Sequence, residues 1–217
     1  VSAQLVEQGS AEWFEVRAGK LTASRFADAV AKLKGGGWAK ARHDYLIELL
    51  SERLTGISAP HFLSREMLEG IEAEPNAVAA YEFAYDVAAT PIGFVEHPTI
   101  ANAGASPDRA IGDVGLLEVK APKTSTLLEL RLAKEHGYTY ANKREDADDR
   151  YLAQCMWQLA CCPTRAWCDL AYYDARLPMG LQLWVRRIHR DTTIIAAMEA
   201  EARAFLAELD ALQEKLR

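Results

Sequence analysis

The clearest hydrophobic period lies near the end of the chain, where Leu206, Leu209, Leu212 and Leu216 recur at three- and four-residue steps and predict a closing helix from about Thr192. That stripe reads first as core and second as a subunit contact. Between Ile92 and Pro122 the texture changes to short runs of branched and aromatic residues broken by Gly, Pro and Asp, which predicts three or so consecutive strands. Two more strands are predicted near Arg165–Tyr173 and Leu181–His189.

The rest reads as helix. Thr22 caps a predicted helix through about Leu33 that stops at Gly35, Gly36 and Gly37, and the next runs from about Ala39 to Thr55 and ends at Gly56. A third starts near Ser64, meets Pro75 as a kink or fresh start, and continues to about Asp86. Helices over Thr126–Glu135 and Asp148–Cys161 flank a charged loop from Tyr138 to Asp146. These elements predict an α/β fold, a central mixed β-sheet flanked by helices. With no repeat and no long Pro/Gly/Ser linker, residues 1–217 read as a single domain.

Composition narrows the function. Half of the 217 residues are hydrophobic, enough for a core without disulfides. The four cysteines, Cys155, Cys161, Cys162 and Cys168, include no CxxC pair and lie among Trp, Leu and Ala, so they read as buried thiols. No apolar run reaches membrane-spanning length and the first residues resemble no leader, which predicts a cytoplasmic protein. The formal net charge of −6 excludes nucleic-acid binding through a generally positive surface, so any DNA contact must concentrate its Arg and Lys. The five histidines include no i, i+4 pair of the zinc-binding kind.

The chemistry-bearing segment is Gly104-Ala-Ser-Pro-Asp108, followed nine residues later by Glu118-Val119-Lys120. In a strand, residues two apart face one way, so Glu118 and Lys120 share a side while Leu117 and Val119 enter an apolar layer. If Asp108 arrives on the neighbouring strand or turn, its oxygen and that of Glu118 can hold one hard cation, with the Val119 carbonyl as a further ligand. Lys120 would then position or deprotonate an attacking water. This is the PD-(D/E)xK nuclease pattern. The plainer alternative is a surface strand with an ion pair.

Further segments resemble the lambda exonuclease family, in the same order along the chain. They are Gln8-Gly-Ser-Ala-Glu-Trp13, then Arg17 to Ser24, then Gly70-Ile-Glu-Ala-Glu74-Pro-Asn-Ala77, Ala105-Ser-Pro-Asp108, the Leu-Glu-Val-Lys-Ala-Pro run ending at Pro122, and Tyr151-Leu-Ala-Gln154. Two residues depart from the family pattern: Arg109 follows the aspartate where Gly is usual, and Ala121 follows the lysine where Cys is frequent.

The resemblance implies a PD-(D/E)xK fold in which Asp108, Glu118, Lys120 and Gln154 are catalytic and Glu74, Asp108, Glu118 and the Val119 carbonyl hold two Mg²⁺ ions, with Mn²⁺ as a substitute. It assigns Arg17, Thr22, Ser24 and Ser106 to a terminal 5′-phosphate, which would suit the free N–H groups of a helix start. The implied activity is 5′→3′ digestion of one strand of linear duplex DNA to mononucleotides, leaving a 3′ tail for phage-type recombination. A ring-shaped homotrimer and a single-strand annealing partner are implied with it. Met67 is a candidate wedge at the strand fork, and Arg131, Lys134, Lys143 and Arg144 are candidate backbone contacts. The alternatives are an endonuclease of the same fold, a non-catalytic DNA-end binding module, and an iron–sulfur nuclease, for which no upstream cysteine is present.

Overall fold

The structure is a computed structural model that describes residues 6–59, 65–136 and 145–217. Its centre is a five-stranded mixed sheet. In chain order its strands are β2 (Ala89–Pro91), β5 (Arg109–Ile111), β6 (Gly115–Lys120), β7 (Trp167–Tyr173) and β8 (Leu183–His189), and they lie side by side in that same order. Within this sheet, among the described residues, only β6 and β7 pair in parallel. A parallel neighbour needs a long return, and α5 (Thr124–His136) and α6 (Glu145–Cys161) lie on that crossover.

A second, three-stranded sheet has the order β1 (Leu21–Thr22), β4 (Ala103–Ala105), β3 (Val95–Glu96). The expected run of strands between Ile92 and Pro122 is therefore four strands divided between two sheets. Around them stand α1 (Ala11–Arg17), α2 (Phe26–Ala29), α3 (Lys40–Thr55), α4 (Arg65–Tyr85) and α7 (Thr192–Lys215).

Alternation along β6 and β7 separates two apolar layers. Leu116, Leu170 and Tyr172 join the larger core with α3, α6 and α7, whereas Leu117, Val119, Ala171 and Tyr173 join a smaller core under α4. Because both faces are covered, Glu118 is as enclosed as its apolar neighbours. The smaller layer also contains an ionic anchor. Asp169 accepts from Tyr81 Oη at 2.7 Å and from Arg187 Nε and Nη2 at 2.8 Å each, tying α4, β7 and β8 together.

Three expectations need correction. The helix predicted over Thr22–Leu33 is a strand, a 3-10 turn at Ala23–Arg25 and the one-turn α2, because Leu21 and Thr22 pair in parallel with Ala103 and Gly104. Such tertiary pairing outweighs local propensity. Helix α1, capped by Ser10 accepting from the Trp13 amide at 3.2 Å, was not anticipated; it buries no residue fully and so has little hydrophobic period to read. Strand β2 was missed because Pro91 argues against a strand, yet β2 is an edge, where proline is tolerated.

Helix α4 runs on through Pro75. The closing helix packs inward through Phe205, Leu206 and Leu209, with Leu212 half-buried and Leu216 exposed. All four cysteines are free and buried. Among the described residues no helix is long and apolar enough to cross a membrane.

Candidate active site

The register of the central sheet brings the acidic residues together. Arg109 pairs with Leu117, so the next step along that antiparallel ladder sets Asp108 across from Glu118. Asp108 ends the ladder by accepting the Val119 amide on Oδ2 at 2.7 Å. Glu118 and Lys120 point to the α6 side of β6, where Lys120 Nζ lies 2.5 Å from Glu118 Oε1 and 5.0 Å from the centre of the Tyr151 ring. Gln154, on α6, donates to the same Oε1 at 2.6 Å. Asp108, Glu118 and Gln154 are all buried, and Lys120 is half-buried.

The electrostatics follow from this enclosure. Burial first, and then the charges of Glu118 and Glu74, push the Asp108 carboxyl well above the usual carboxylate range, against the opposing pull of Lys120 and the Val119 N–H. For Lys120 burial acts downward, but Glu118 and Asp108 together outweigh it, and the ammonium holds its proton more firmly than an exposed lysine. Two buried carboxylates thus face one ammonium, an excess of negative charge in a low dielectric.

Hard oxygen donors with excess negative charge are what a divalent cation such as Mg²⁺ prefers, so Asp108 and Glu118 fit that role, with the Val119 carbonyl adjacent. Glu74 does not join them as it is. Its Oε1 is 2.9 Å from Arg109 Nη1, and Arg109 also donates to the Asp108 carbonyl at 2.6 Å. Accordingly, among the described residues no three His, Cys, Asp or Glu side chains converge into a ready cation site.

A second cluster forms around Ser106. Its Oγ accepts from Arg17 Nη1 and from Trp13 Nε1, both at 3.0 Å, and the Arg17 guanidinium stacks 3.9 Å from the centre of the Trp13 ring. Burial lowers the Arg17 pKa to about 10 despite the attraction of Tyr45, Glu52 and Glu118. Among the described residues Arg17 has no carboxylate in ion-pair contact, and its hydrogen-bond partner is the Ser106 hydroxyl.

The loop after Arg17 is clamped by α3. Gly19 donates to Glu52 Oε2 at 2.7 Å and its carbonyl accepts from Arg53 Nε at 2.9 Å. Its φ of +69° and the 2.6 Å approach of a Cβ there to Arg53 Cγ leave room only for glycine. Thr22 is buried on β1, where its amide donates to Tyr45 Oη at 3.2 Å, and Ser24 is exposed in the 3-10 turn. Neither Thr22 nor Arg25 provides a side-chain cap at these helix starts. The structure therefore brings Arg17 and Ser106 together and leaves Thr22 and Ser24 outside their hydrogen bonds.

The side chain of Met67, and residues Lys143 and Arg144, lie outside the described ones. Arg131 pairs with Glu135 at 2.8 Å on α5. Sequence reasoning overlooked Gln158, which donates to Glu118 Oε2 at 2.5 Å, and Trp13 as a partner of Ser106. A signal for Gln158 existed: a second glutamine one turn after Gln154, inside an otherwise apolar run.

Residues 12–165 match the model of the YqaJ-like viral recombinase domain. An alkaline exonuclease, LHK-Exo from Laribacter hongkongensis, is 41% identical with a TM-score of 0.81 over 95% of this chain and 96% of that one; its complex with dAMP gives the same values. A phage-related exonuclease from Haemophilus somnus 129PT, at 14% identity and a TM-score of 0.66 over 91% of this chain and 96% of that one, shares the fold. A search of curated proteins gives no match. The fold is that of the PD-(D/E)xK nucleases, and the expected kinship with the lambda-exonuclease-like recombination proteins holds. The chain belongs to the family of YqaJ-like viral recombinase domains.

Proposed function

We propose that the protein is a Mg²⁺-dependent exodeoxyribonuclease that digests one strand of linear duplex DNA from its 5′ end and leaves a 3′ single-stranded tail. The observation that carries this reading is the enclosed group of Asp108, Glu118 and Lys120 beside the central strands, in a chain 41% identical to an alkaline exonuclease. The whole chain acts as one nuclease domain.

Asp108, Glu118 and the Val119 carbonyl would hold Mg²⁺, with Mn²⁺ as a substitute and Glu74 completing the set once Arg109 releases it. Two ions held there would supply an activated water and stabilisation of the departing 3′-oxygen. The chain's own residues do the rest. Lys120, a firmly protonated cation, orients the incoming water and offsets charge growing on the phosphoryl oxygens. Gln154 keeps Glu118 Oε1 directed at the reaction. Arg17 and Ser106 grip the terminal 5′-phosphate and so define which end is consumed.

An overall acidic chain can follow DNA processively if it encircles the duplex, and a ring-shaped homotrimer meets that need. The 3′ tail is the natural substrate of a single-strand annealing protein, the partner this activity serves in phage-type recombination. Both belong to a cytoplasmic setting.

The test is a mixture of linear duplex and covalently closed circle incubated with Mg²⁺ or with chelator. Mononucleotides released only from the linear DNA, and only with metal, bear the proposal out. Cutting of the circle would assign an endonuclease of the same fold, and binding without release at any metal concentration would assign an end-binding module.

A further inference from the structure

Glu118 is held at both of its oxygens, by different kinds of neighbour. Oε1 receives Lys120 Nζ and Gln154 Nε2, groups at the reacting side. Among the described residues Oε2 receives only Gln158 Nε2, at 2.5 Å, from a side chain that is 0% exposed. A primary amide so enclosed is costly unless both its ends are satisfied. Here they are, because Gln158 Oε1 accepts the Cys168 thiol at 3.5 Å. Turning the amide over would set its carbonyl oxygen against the carboxylate and its N–H groups against the thiol. The carboxylate on β6 and, more weakly, the thiol on β7 thus favour the same sense of the Gln158 amide, N–H toward Glu118 and carbonyl toward Cys168.

We infer that Gln158 is a positioning residue for Glu118, and that Cys168 supports the sense of its amide from the other end. This deepens the nuclease reading above and rests on it. The torsion that turns a carboxylate end is soft and roughly two-fold, so a single hydrogen bond leaves a glutamate free to rock. Gln154 directs Oε1, but it shares that oxygen with Lys120, and a bound cation would draw on the same oxygen, so a second restraint is needed on Oε2. Gln158 grips that other oxygen from within the core. Groups that hold a metal-binding side chain in this way typically carry 10- to 100-fold of metal affinity or activity.

The experiment compares wild type with Gln158→Leu, which keeps the bulk and removes the N–H, and with Cys168→Ala and Cys168→Ser. Mn²⁺ binding is measured without DNA by titration calorimetry, the Mg²⁺ dependence of nuclease rate is measured on linear duplex, and thermal unfolding checks that each variant is folded. Expected for Gln158→Leu is a Mn²⁺ affinity and a maximal rate each lower by about 10- to 100-fold. Cys168→Ala should shift both in the same direction by less, and Cys168→Ser should recover most of that shift. If Gln158→Leu fails to fold, the alanine and serine pair decides alone: a loss with Ala regained with Ser supports the inference, and equal values overturn it. A folded Gln158→Leu with wild-type Mn²⁺ affinity also overturns it while leaving the nuclease reading intact. Wild type that neither binds Mn²⁺ nor releases nucleotides would overturn both.

Discussion

Arg109 Nη1 and Glu74 Oε1 are 2.9 Å apart, so the glutamate assigned to metal binding is held by the one residue that departs from the family pattern beside the key aspartate. Both side chains retain some exposure, at 20% and 26%, and such a pair is worth no more than about 1 kcal/mol. If Glu74 takes part in metal binding as proposed, Arg109 would compete with the cation for it without defeating it. Arg109→Ala should lower the half-saturating Mg²⁺ concentration for nuclease activity by about 2- to 5-fold, the factor that this energy allows. An unchanged or higher requirement would mean that Glu74 takes no part in metal binding.

The raised pKa of Asp108 makes stability depend on pH in a definite direction. Between the ordinary carboxylate value of about 3.9 and its elevated folded value, the native state binds more protons than the unfolded one. Stability must therefore fall as pH rises through that window, as the buried carboxyl is forced to ionise beside Glu118 and Glu74. Asp108→Asn removes this penalty. In metal-free buffer the Tm advantage of Asp108→Asn over wild type should widen from acid to neutral pH and close below the carboxylate range. A gap independent of pH would show that Asp108 does not carry the penalty.

The Trp13, Arg17 and Ser106 cluster predicts selectivity for the DNA end. An arginine drawn out of water, with an aromatic face and a hydroxyl as its partners, gains most from a doubly charged terminal phosphate. Hydrogen bonds to charged groups contribute about 1.5–3 kcal/mol, so Arg17→Ala should cut the preference for 5′-phosphoryl over 5′-hydroxyl ends by about 10- to 100-fold. Equal preference in wild type and variant, measured as the ratio of initial rates, would remove the cluster from substrate recognition.

Much of the site was legible because a strand has a fixed two-residue period. From Glu118-Val119-Lys120 alone it follows that the carboxylate and the ammonium share a face, and they do. What the strand pattern does not carry is the far side of that face. Glu118 is covered by α6, whose Gln154 and Gln158 reach it across a crossover of more than thirty residues, and no local signal states that distance in space. Thr22 shows the opposite failure. Its sequence resembles a helix cap, but pairing with β4 turns it into strand. The element order of the second half, from α5 to α7, was readable within a few residues because each element is long and strongly patterned. The first half hides a seven-residue helix and two-residue strands too short to show a period.

On the proposed function, Lys120, beside Asp108 and Glu118, drives hydrolysis from 5′ ends. Removing an electrostatic group of this kind typically costs at least 10²- to 10³-fold in rate. The direct measurement is digestion of linear duplexes labelled at the 5′ or the 3′ end, with Mg²⁺ or chelator, using wild type and Lys120→Ala. Expected are early release of 5′ label as mononucleotide by wild type with metal, late release of 3′ label, and loss of both in Lys120→Ala to at least the extent above. Early release of 3′ label, or full activity in Lys120→Ala, would contradict it.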